Sequence, residues 1–274
     1  MTLPVRNSRI RLSQGTLFWR EVGHGNPTLV LLHGTWSDSS QWLPLMTQLG
    51  QDFHCLAPDL LGFGESSQSL TLPYSITLEV ECLAEYLEAL RSQSVYFIAD
   101  ALGAWVATSY ALRYPERVQG LVLIAPEGVS PPTLVGRWSL HRLLAGRFSI
   151  VAWTIRVIAP VARGLGQAKW VARSQHLRRQ LLAFPAACRL LFKRRQVELQ
   201  GERLDGQLPY LNTPLWLLRG EQDQVEAQTL REVYAAAAHQ GIVVEIAANL
   251  NQLETATEAL ALAITPLIKQ TIKA

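Results

Sequence analysis

Three cysteines in 274 residues are too few and too scattered for a disulfide framework. Cys55, Cys82 and Cys188 are odd in number and fall in no CxxC or Cys/His pattern. Neither a set of bridges nor a zinc site is indicated, and the expectation is three buried free thiols, with no metal and no cofactor. The opening stretch MTLPVRNSRIRL lacks the apolar core of a secretory signal, and no apolar run approaches the roughly 18 residues of a membrane-crossing helix. The expected location is the cytoplasm, with peripheral attachment to the cytoplasmic side of a membrane as the alternative. Charge is sparse, 17% of residues against 49% hydrophobic, which excludes a disordered chain and allows a large core.

Acidic residues are scarcest in one region. Val129 to Asp205 carries 14 Lys and Arg against 3 Asp and Glu, a net of +11, while the remainder carries 11 against 19, a net of −8. A shift of that size marks a boundary. The expected division is a core of residues 1–128 and 206–274 interrupted by a basic insertion, 129–205.

Apolar, β-rich runs occur at TLFWREV (16–22), TLVLLHG (28–34), FHCLAPD (53–59), VYFIAD (95–100), VQGLVLIAP (118–126), LWLLRG (215–220) and IVVEIA (242–247). Helical spacing of apolar residues fits 77–90, 101–114 and 257–270, where Pro266 is expected to kink or restart the helix. Strands alternating with helices imply a mostly parallel sheet covered on both faces, with ligands bound at the carboxyl ends of the strands.

Four segments in order, LLHGTWSDSSQW (31–42), APDLLGFGES (57–66), ADALGAWVA (99–107) leading into YPERVQGLVLIAP (114–126), and LLRGEQD (217–223), resemble the landmarks of the α/β-hydrolase fold. The resemblance covers nearly all of the chain outside 129–205. It implies a mostly parallel sheet flanked by helices, with a helical cap inserted after the sixth strand. In that family the nucleophile sits in G-x-S-x-G, a tight turn from strand to helix. With Leu102, Gly103 and Ala104 setting the register, Ala99 falls at the first glycine and Ala101 at the nucleophile. A methyl group cannot attack carbon. Asp100, one residue early, is read as a pocket-wall or structural group, with nucleophile as the lesser alternative.

The family's histidine follows the last strand, where IAANLNQLE offers Asn249, or Asn251 after a two-residue shift. Asp223 stands where the family's acid would orient that histidine, and Asn249 is expected to hydrogen-bond it. The resemblance implies that the oxyanion site remains, from the backbone N–H of Leu102 and one near Thr35. His33, in the turn beneath that loop, is expected at the pocket in a conformational or hydrogen-bonding role, with general base as the lesser alternative; Trp36 is expected there too, and of the other histidines only His141 and His176 could overhang it.

The sequence thus reads first as a non-catalytic hydrolase homologue binding an apolar or amphipathic small molecule, or a protein partner, beneath a basic cap. The alternatives are an enzyme of the same fold using non-triad chemistry (hydrolase, lyase or cofactor-free), and a membrane-peripheral scaffold. Trp138, Trp153 and Trp170 lie among the cap's cations, and Arg178, Arg179, Arg194 and Arg195 are the candidate docking cluster for an anionic membrane surface or an acidic protein partner. Nucleic acid is disfavoured, because no recognition motif accompanies the charge.

Overall fold

A computed structural model of the chain describes residues 3–68, 74–145, 149–164 and 166–273. Among the described residues nine strands form one sheet: β1 (Arg6–Leu12), β2 (Gly15–Val22), β3 (Thr28–Leu32), β4 (His54–Pro58), the two-residue β5 (Ser67–Gln68), β6 (Val95–Asp100), β7 (Val118–Ile124), β8 (Leu215–Gly220) and β9 (Gly241–Ile246). Their order is β1-β2-β4-β3-β6-β7-β8-β9, with β5 beside β2. Pairings from β4 through β9 are parallel, while β1 and β2 are antiparallel additions at one edge.

The parallel strands are apolar because both of their faces are buried. Over one face pack α2 (Ile76–Ala89), α3 (Ala101–Arg113) and α9 (Val225–Ala237), and over the other α1 (Leu43–Leu49) and α10 (Thr257–Lys273). Ser75 starts α2 by accepting the Leu78 N–H at 2.9 Å, which satisfies one of the donors a helix start leaves open. All three cysteines are buried and free.

Three sequence expectations need correction here. β1 was not foreseen: its RNSRIRL alternates charged and apolar residues and lies at the sheet's edge, where one flank meets water. Pro266 does not restart the last helix, since α10 runs continuously through it. The cap follows the sixth strand only if the short β5 is left uncounted.

Between β7 and β8 lie α4 (Ser139–Ala145), α5 (Ile150–Gly164), α6 (Ala168–Ala183), α7 (Pro185–Phe192) and α8 (Gln196–Gly201). The first four of them share a small core of Leu144, Ile155, Leu181 and Cys188. Glu202 fastens their end to the sheet's helices: its carboxylate accepts the N–H groups of Ile76 and Thr77, and its carbonyl accepts the Trp105 indole N–H at 3.0 Å.

Candidate active site

The site is built at the carboxyl end of β6. Asp100 ends the strand with extended backbone, and Ala101 opens α3 at φ +44°, a left-handed conformation that costs a non-glycine residue about 1–3 kcal/mol. Two backbone bonds hold this strained turn: the Gly103 N–H donates to His33 O and the Glu127 N–H to Ala101 O, both at 3.2 Å. A Cβ on Gly103 would lie 2.5 Å from Leu32 O, so the helix meets β3 closely only because that residue is glycine. The turn therefore presents Ala101 and the first-turn N–H of Leu102, which has no carbonyl one turn back to accept it.

Above the turn is a cavity of about 770 Å³ whose wall includes Ala101, Asp100, Trp36, Glu127, Arg137 and His141. Burial pushes the Asp100 carboxyl up to about 7; the Gln41 amide opposes the shift and the nearby Glu127 adds to it. The Gly34 N–H donates to Gln41 Oε1 at 3.3 Å, which turns the Gln41 amide NH2 toward Asp100 Oδ2 at 3.4 Å. Burial also raises Glu127, partly offset by Arg137 at 3.9 Å. Thr35 lies beside Glu127, yet neither Thr35 Oγ1 nor Glu127 Oε2 completes a hydrogen bond of normal geometry among the described residues. Two carboxyl groups thus share a low-dielectric wall, and the nearby Glu127 disfavours ionisation of Asp100.

The cap supplies the opposite wall. His141 stacks on Trp36 with ring centroids 6.3 Å apart and meets Trp138 edge-on at 4.8 Å. Burial and the Arg137 guanidinium lower its pKa, so the imidazole is neutral near pH 7. Its Nδ1 has no hydrogen-bond partner among the described residues.

Other expected residues sit differently. His33 is not on the cavity wall: it is fully buried, the Leu60 N–H donates to its Nε2 at 3.0 Å, and its Nδ1 bonds Gly34 O at 2.9 Å. An obligate donor facing Nε2 fixes the neutral tautomer, and burial lowers the pKa, so His33 is a strut between two loops. Asp223 does not bond Asn249. Its buried carboxylate is bonded by the Arg231 guanidinium, whereas Asn249 Nδ2 donates to Gln222 Oε1 at 3.3 Å. Asn251 rather than Asn249 reaches the cavity. His176 is exposed on α6 and outside the cavity wall.

The four arginines assigned to docking do not form one free surface. Arg194 is largely buried and paired with Glu202 and Glu198, Arg178 donates to Leu144 O, and Arg179 and Arg195 are exposed. Sequence reasoning missed Glu127, Gln41 and Arg137. Glu127 carried a signal, since it follows β7 at the ligand-binding end of a parallel strand.

The profile of the alpha/beta hydrolase family matches residues 29–263. The chain belongs to the α/β-hydrolase family. Among curated α/β-hydrolase relatives, it is 34% identical over 116 residues to a 2-hydroxy-6-oxo-2,4-heptadienoate hydrolase of Pseudomonas putida, covering 40% of this chain and 41% of the relative. It is 40% identical over 110 residues to a pimeloyl-[acyl-carrier protein] methyl ester esterase of Pseudoalteromonas atlantica, covering 40% and 41%. These matches span about two-fifths of the relatives' length. A haloalkane dehalogenase loop variant from Bradyrhizobium elkanii superposes with a TM-score of 0.71 at 19% identity over 98% of each chain, a likeness of fold.

Proposed function

We propose that this α/β-hydrolase-family chain is an enzyme working without a serine–histidine relay, with Asp100 as general acid and His141 as general base. The observation that carries this is a carboxyl group raised to about 7 beside Ala101, in the same cavity as a histidine whose pKa is lowered. Such a pair supplies a protonated acid and an unprotonated base together near neutral pH, the condition under which acid–base catalysis is most effective. In hydrolysis of a carbonyl substrate, His141 takes a proton from water as that water attacks carbon. The Leu102 N–H meets the developing oxyanion, and Asp100 protonates the leaving group. The family relatives named as a methyl ester esterase and a dienoate hydrolase support methyl esters and oxo-dienoates as first probes.

The test is turnover of those probes against pH, in the wild-type chain, Asp100→Asn and His141→Gln. Each substitution is expected to lower kcat by about 10²–10⁴. Unchanged turnover in Asp100→Asn rejects the assignment.

A second reading, binding of an apolar or amphipathic molecule without turnover, is favoured by Ala101, which offers no reactive atom, and by the engagement of Asp223 with Arg231. It predicts a ligand that co-purifies with the chain and is released unchanged.

A further inference from the structure

We infer that the outer face of the cap docks on an anionic lipid bilayer. From Gly128 to Val197 the sequence has no Asp or Glu but 13 Lys and Arg. Within this region α5 is apolar nearly all round. Its Val151, Ile155 and Ala159 turn inward toward the cap's core, and a second stripe turns out: Ile150 is 77% exposed, Trp153 65%, Val157 56% and Val161 68%. A soluble protein's helix ordinarily spends that face on polar residues.

The cations flank this ridge. A groove of about 960 Å³ between α5 and α6 is walled by Ile150, Trp153 and Leu182 together with Arg156 and Arg179. Arg156 and Arg179, with Lys169 and Arg173 on α6, are exposed, and none of the four forms an ion pair with any of the described residues. An apolar, tryptophan-bearing ridge with guanidinium groups beside it sinks into the acyl boundary while the cations stay level with lipid phosphates. An acidic protein would be met by cations on the ridge itself, and here the ridge is apolar. No single helix among the described residues is long and apolar enough to cross a membrane, and α5, which passes that test only as a bent pair with α4, keeps Ile155 and Ala159 buried in the fold, so it is proposed to meet the bilayer from its surface. The docking face differs from the Arg178, Arg179, Arg194 and Arg195 cluster expected from sequence, because Arg194 serves the cap's own acids.

The experiment is flotation of the full chain with vesicles of phosphatidylcholine alone or mixed with phosphatidylglycerol. The wild type is expected to float with the anionic vesicles at least about tenfold better than with neutral ones, and to be released as salt shortens the Debye length from about 10 Å at 0.1 M toward 3 Å at 1 M. Trp153→Asp with Val157→Asp, and separately Arg156→Glu with Arg179→Glu, should each lower binding at least about tenfold. Arg11→Glu, exposed on the edge strand β1 and outside the inserted helices, should leave it unchanged. Circular dichroism on each variant confirms folding, which substitution at exposed positions leaves intact. Equal binding to neutral vesicles, no binding by the wild type, or retained binding in both double variants overturns the inference; a wild type that ignores vesicles but binds an acidic protein assigns the face to that partner instead.

Discussion

Arg231, reaching from α9, holds the carboxylate of Asp223 in an ion pair whose two side chains are 6% and 5% exposed. Arg231 also donates to Leu218 O at 3.4 Å, and the Gln228 amide donates to Asp223 O at 3.1 Å, so the acid is fixed from its own helix side. Arg231→Ala would leave a buried carboxylate unpaired, at a cost of about 3–5 kcal/mol. Urea unfolding of that variant checks the figure; a loss below about 1 kcal/mol would mean that water reaches Asp223.

The same pair bears on any attempt to install a relay. Ala101→Ser supplies an oxygen, and Asn251→His places an imidazole on the cavity wall, yet Asp223 is already engaged and cannot orient it. The double variant should react with a fluorophosphonate no faster than Ala101→Ser alone, as read by labelling kinetics and intact mass. Strong labelling confined to the double variant would mean that an imidazole at position 251 acts as a base without being oriented by Asp223.

Two glycines at the site should fail differently when changed to alanine. A Cβ on Gly103 meets backbone carbonyl oxygens of Leu32 and His33 at 2.5 and 2.7 Å, which cannot move aside, so Gly103→Ala should lose about 1–3 kcal/mol or more of stability. A Cβ on Gly34 meets Asp100 Oδ2 at 2.3 Å, and that side chain can rotate. Gly34→Ala should therefore disturb Asp100 and turnover more than the melting temperature. Measuring both properties for both variants separates the two cases, and equal effects would refute the contrast.

Much of this arrangement was legible in the sequence, and what was not has physical causes. The alternation of apolar strands and helices, the turn at Asp100 and Ala101, and the pocket position of Trp36 follow from local pattern, since each depends on residues near in sequence. The hydrogen-bonding role expected of His33 is the one observed, but its place at the pocket wall was misread, because an HG turn near a pocket does not reveal that the Leu60 N–H, 27 residues on, occupies its free nitrogen. The partner of Asp223 was misassigned because it comes from the next helix and not from the loop after β9. Gln41 was missed because it meets Asp100, 59 residues on, a pairing that no spacing within a segment encodes, and the signal Glu127 gave by following β7 does not show that it lies near Asp100.

A second buried acid gives a stability prediction. Glu79 accepts the Leu61 N–H at 3.2 Å, and burial pushes its carboxyl up to about 8 against an ordinary 4.5. Between about pH 4.5 and 8 the unfolded chain has released a proton that the folded chain keeps. Stability from this group is therefore present below that window and lost as pH rises through it, by at most about 1.4 kcal/mol per pH unit. Glu79→Gln should remove this part of the slope, as read from urea midpoints at pH 5, 6.5 and 8. A wild type and variant with parallel pH dependence would mean that Glu79 is ionised in the fold.

The claim on which the proposed chemistry rests is the protonation of Asp100 near neutral pH. Carbon-13 NMR of chain labelled at the aspartate carboxyl carbons, titrated from pH 4 to 9 and compared with Asp100→Asn, reads it directly. The expected result is one resonance titrating near 7, as burial beside Glu127 dictates, and absent from the variant. The contradicting result is that the resonance lost in Asp100→Asn titrates near the ordinary aspartate value of about 3.9, which would leave the cavity without its acid.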